Sequence, residues 1–142
     1  MSNTVENEIR ALVEAWHATV TGGDLDRIMA FYDDDVVAFD AIATLQFVGA
    51  AAYREHWAQC LQFMGEGSIV LHSVTVQASD DLAVAWFIDR CSGPNEQGEM
   101  ESGYTRGTAC YRRQGDGWRI VHEHFSMPID MQTGKAIFDA AP

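Results

Sequence analysis

The sequence predicts an α+β fold on three observations. Apolar residues recur at helical spacing in three segments before residue 65, β-branched and aromatic runs fill most of the remainder, and short polar or glycine-rich breaks separate those runs. Ile9, Leu12, Val13, Trp16 and Val20 form the stripe of a long first helix, with Asn3 and Thr4 as candidate caps and Gly22-Gly23 as the stop. Asp24 caps a short second helix with Leu25, Ile28 and Met29 on one face, ending near Phe31-Tyr32, and Asp33-Asp34-Asp35 then reads as a solvated turn. Val36 to Phe39 and Leu45 to Val48 are short strands able to pair across a turn. A third helix carries Tyr53, Trp57, Cys60, Leu61 and Met64 and stops at Gly65. Four longer strands follow, at about Ser68 to Ala78, Leu82 to Cys91, Glu101 to Arg113 and Trp118 to Pro128. Their short connections make an antiparallel meander with one face to bury against the helices.

Composition narrows the function. The 142 residues include 9 basic and 21 acidic side chains, a formal charge of −12, which repels nucleic acid and anionic membranes. With 47% hydrophobic and 21% charged residues the chain reads as one globular domain over residues 1–142. No apolar run reaches the length of a membrane span, and Met1 to Thr21 carries acidic residues where a signal peptide is apolar, so a cytoplasmic protein is expected. Cys60, Cys91 and Cys110 show no pair spacing and read as small buried hydrophobes. No cofactor is expected. His17 and His56 read as packing or partly exposed helix residues.

Strand alternation supplies the candidate site. It sorts Trp118, Ile120, His122, His124 and Ser126 to one side of the last strand, Trp86, Ile88 and Arg90 together on another, and Tyr104, Arg106, Thr108 and Cys110 together on a third. A three-residue connection, Gln114-Gly115-Asp116, would join these on one face with Thr108 opposite His122 and Arg106 opposite His124. If that face points inward, four potentially cationic donors there require a carboxylate, from Asp40 or from a ligand. Strand histidines beside aromatics also serve as plain structural residues, so both readings stand for His122 and His124. The pair alone has no clear third metal ligand, with Asp40 and His72 the only options, and no metal site is assigned.

The stretch from Gly117 to Pro128 (GWRIVHEHFSMP), Arg106-Gly107-Thr108, the helix start from Gly49 to Trp57 and the Gly23-Asp24 break together resemble the SnoaL-like branch of the nuclear transport factor 2 superfamily. The Trp, paired His, Ser and Pro are also similar to the association domain of calcium/calmodulin-dependent protein kinase II. The resemblance implies a cone-shaped α+β barrel, with three helices packed on a strongly curved, mainly antiparallel sheet enclosing one pocket, and a homodimer through the outer face of the sheet. Phe31 to Trp57 further resembles ketosteroid isomerases, placing Asp40 at the general base, with His124 as a second catalytic candidate. Trp16 stands where those enzymes carry an oxyanion-binding tyrosine. The expected pocket lining is Trp16, Tyr32, Phe39, Trp57, Trp86, Arg90, Tyr104, Arg106, Thr108, His122 and Ser126. Three functions fit: a binding domain for a small carboxylate- or carbonyl-containing ligand, an isomerase, cyclase or lyase using Asp40 on an enolisable ketone, or an assembly module with a vestigial pocket.

Overall fold

The structure, a computed structural model, describes residues 2–142. Its elements run α1 (Ser2–Gly22), α2 (Leu25–Met29), β1 (Tyr32–Phe39), β2 (Phe47–Val48), α3 (Ala50–Met64), β3 (Ser68–Ala78), β4 (Leu82–Pro94), β5 (Met100–Gln114) and β6 (Gly117–Ser126). The six strands form one strongly curled sheet in the order β2-β1-β6-β5-β4-β3, open between its two edge strands. Only β1 and β6 pair in parallel. This is the mainly antiparallel α+β cone that the family resemblance implies.

The helices follow their stripes. Ile9, Val13, Trp16 and Val20 of α1 are buried, as are Tyr53 and Trp57 of α3. Asp24 caps α2 through a 3.2 Å bond from Arg27 N–H. Thr4 lies within α1 rather than at its cap, and the Asn3 side chain lies outside the described residues. α2 ends at Met29, so Tyr32 and the aspartate run belong to β1; Asp33 accepts from Gln114 of β5 at 2.5 Å. That bond, first of several causes, holds the Asp33 carboxyl below its ordinary pKa.

The face of the sheet turned to the helices carries small residues where the curl is tight. Ala83, Ala85 and Ala109 are buried there, and a side chain at Gly107 would meet the Phe87 ring at 2.3 Å. This spacing lets Trp16 stack on Phe125, with centroids 5.7 Å apart, between Phe87 and Trp57. Aromatic side chains thus fill the cone. The tail after β6 turns back through an Ile129–Ala136 bridge and returns to β5, where Tyr104 N–H donates to the Phe138 carbonyl at 2.9 Å. Phe138 lies over Gly103, whose missing Cβ would fall 2.1 Å from its ring.

The β5–β6 hairpin departs from the sequence expectation. Gln114 pairs with Gly117, so the connection is two residues, Gly115-Asp116, with Gly115 at φ 59°. The odd residue is taken up instead by a bulge within β6: Ile120 faces Tyr111, His122 faces Cys110, and Val121 between them has no partner in the register. Thr108 therefore opposes His124, and Arg106 opposes Ser126 rather than His124.

Candidate functional site

The bulge decides which side chains enter the cone. Trp118 and Ile120 point inward, but beyond Val121 the alternation has slipped by one, so Glu123 and Phe125 are buried and His122 and His124 turn outward. The expected site residues divide accordingly. Trp16, Tyr32 and Trp57 are core residues. Trp86, Arg90, Tyr104, Arg106, Thr108, His122 and Ser126 do share one face, as alternation requires, but it is the outer face; Trp86 is 45% exposed. There Arg90 donates to Ser102 Oγ at 3.2 Å and Arg106 to Ser126 Oγ at 3.1 Å, while His122 Nδ1 donates to the Val37 carbonyl at 2.6 Å. The inward cationic wall is thereby corrected: the inner face of β4 is Ala83, Ala85, Phe87 and Asp89, not Trp86, Ile88 and Arg90.

The inner face holds acids. Glu123 accepts at one oxygen from both Tyr32, at 2.6 Å, and Tyr53, and Tyr32 in turn accepts from Trp16 Nε1 at 2.9 Å. Burial pushes the Glu123 pKa up to about 8 against the tyrosines' opposing hydrogen bonds, with Asp40 and Asp89 adding to the rise. The carboxyl therefore keeps its proton at neutral pH. Burial beside Glu123 likewise raises both phenols well above their usual range.

A second acid, Asp89, meets His17 of α1. His17 Nδ1 donates to the Val13 carbonyl at 2.7 Å, which fixes that nitrogen as protonated and leaves Nε2 to share a proton with Asp89 Oδ1. Asp89 is fully buried, its other oxygen has no partner, and burial holds its carboxyl above the usual range.

Asp40 and His124, the two candidate catalytic residues, come together. Asp40 is the first residue past β1 and continues the inward set of Val36 and Ala38, while Phe39 pairs with His124 in the parallel ladder. Both line a hollow of about 520 Å³ with Phe39, Thr44, Leu45 and Gln46. Behind it, Asp40 Oδ2 accepts from His56 Nε2 and Asp40 Oδ1 from Ala41 N–H at 2.7 Å. His56 is buried, stacked on Phe47 at 4.2 Å, and Cys60 Sγ lies 3.4 Å from its Nε2. Burial, then Asp40, pushes the Cys60 thiol up to about 11. His17, Asp89, His56, Cys60, Tyr53 and Glu123 are thus polar site residues absent from the sequence-derived set. The i, i+4 spacing of His56 and Cys60 after Asp40 was the available signal.

A small α+β cone with two acid–histidine pairs, Asp40 with His56 and Asp89 with His17, defines a class that hosts binding proteins and proton-transfer enzymes alike. The sequence profile of the SnoaL-like domain matches residues 9–130, and the chain belongs to that family. It is similar to an NTF2-like protein of unknown function from Pseudomonas putida, at 45% identity over 100% of this chain and 99% of that one, with a TM-score of 0.91. Two further solved structures share the fold. A candidate dehydratase of the NTF2-like family from Streptomyces avermitilis has 15% identity over 92% of this chain and 100% of its own, TM-score 0.80. A candidate calcium/calmodulin-dependent protein kinase II association domain from Xanthomonas campestris has 22% identity over 85% and 86%, TM-score 0.75. No curated protein matches the chain. No helix is long and apolar enough to cross a membrane among the described residues.

Proposed function

We propose that the chain is a proton-transfer enzyme, an isomerase, cyclase or lyase acting on an enolisable carbonyl compound, with Asp40 as general base. One observation carries this reading: Asp40 faces an open hollow while its carboxylate is oriented from behind by buried His56. A base must be reachable by substrate and held in place; the hollow that Asp40 lines supports the first requirement and its contact with His56 the second. His124, which lines the same hollow, is the donor toward which the substrate's developing enolate charge would lie. The candidate dehydratase among the structural neighbours is compatible with such chemistry but shares only the fold.

The test is α-proton exchange. Enolisable ketones incubated with the chain in D2O should lose α-proton NMR intensity, and Asp40→Asn should slow this by at least about 100-fold, the lower bound for a general base. Equal exchange in the variant, or none with any ketone, overturns the reading. We further propose that two copies pair through the outer face, supported by exposed Trp86, 45% accessible, on the face that also carries Val70 and Leu82, themselves 56% and 51% exposed. Light scattering should give the dimer mass; a monomer at micromolar concentration refutes it.

A further inference from the structure

Asp40, His56 and Cys60 converge for reasons built into the chain. His56 and Cys60 stand one turn apart on one face of α3, and Asp40 is turned toward that face by the alternation of β1. One donor atom from each lies within 4.8 Å of the other two, and Cys60 Sγ approaches the same His56 nitrogen that meets Asp40. A tetrahedral ion with bonds near 2.0–2.3 Å needs donors roughly 3.4–3.6 Å apart, so shifts of about 1 Å in the Asp40 and Cys60 side chains would seat one. The surroundings already orient the donors. Phe47 stacks on the imidazole at an interplanar angle of 23°, and Ala41 N–H occupies Asp40 Oδ1, leaving Oδ2 for an ion. Of the three, Asp40 lines the hollow, the side from which a fourth ligand would reach an ion.

We infer that Asp40, His56 and Cys60 form a three-ligand site for a divalent ion of the Zn2+ class, open to the hollow on its fourth side. Thiolate and imidazole donors beside one carboxylate select such an ion over Mg2+ or Ca2+, which take oxygen ligands. The ion takes the carboxylate oxygen that the proton-transfer reading requires, so its binding switches that chemistry off. The site itself does not depend on that reading.

The full chain, stripped of metal by chelator and dialysed, is titrated with Zn2+ against a chromophoric chelator and separately with Co2+. One ion per chain is expected, with a thiolate-to-cobalt charge-transfer band and no competition from Mg2+. Cys60→Ser, nearly isosteric and checked for folding by circular dichroism, should abolish the band. It should also weaken Zn2+ more than the roughly 10–100-fold that loss of an outer-shell partner costs. His56→Gln should do the same. No bound ion, a cobalt spectrum without the thiolate band, or unchanged affinity in Cys60→Ser overturns the site. Ketone exchange that persists at saturating Zn2+ overturns the switch alone. Zn2+ bound without any ketone exchange overturns only the proton-transfer reading.

Discussion

The two faces of the sheet carry opposite chemistries. The inner face holds Asp89 and Glu123, with Asp40 just past its edge, and the outer face holds Arg90, Arg106, His122 and His124. An acid can be buried when neutral donors surround it or when it shares a proton: two phenols donate to Glu123, and Asp89 shares one proton with His17 Nε2. The cost appears as raised carboxyl pKa values. In a single copy of the chain the outer arginines meet serine hydroxyls and stay exposed. Charge on this protein is therefore stored by protonation inside and by solvation outside.

Breaking the inner pairs should cost most. His17→Ala strands a fully buried aspartate, and urea unfolding should show a loss of about 3–5 kcal/mol, the usual cost of leaving one partner of a buried pair alone. A loss below about 1 kcal/mol would mean that Asp89 is readily hydrated. The next effect is a pH slope. Glu123 binds its proton more tightly folded, about 8, than unfolded, 4.5. Its contribution is therefore complete below pH 4.5 and is lost as pH rises to about 8, where it levels off. Glu123→Gln, which keeps the shape but cannot ionise, should flatten the fall in stability across that window in thermal melts at stepped pH; an unchanged slope would assign it to other groups. The smallest effect belongs outside: Arg106→Ala should change unfolding free energy by no more than about 0.5 kcal/mol. A larger loss would place Arg106 inside the proposed contact between two copies.

The helices and the four long strands were legible because periodicity and punctuation are local. β3 begins and ends where its run of β-branched residues does, and α3 stops at Gly65. Sidedness was not legible from alternation alone. On β4 the bulky set Trp86 and Ile88 suggested a core face, yet the curled sheet needs alanine where α1 and the aromatic cluster approach. On β6 a clue did exist. Trp118, Ile120 and Phe125 are all core residues but fall on both parities, which a strand satisfies only by slipping phase. The pairing of Asp40 with His56 joins a strand end to a helix sixteen positions on, a distance no periodicity encodes.

That slip lies in a single residue. Removing Val121 would join Ile120 to His122 in the register they already hold, so the last five residues of β6 would keep their sides and only the bulge would be lost. One inserted residue thus lets Trp118 and Ile120 share the interior of this cone with Glu123 and Phe125, which stand on the opposite parity of the chain.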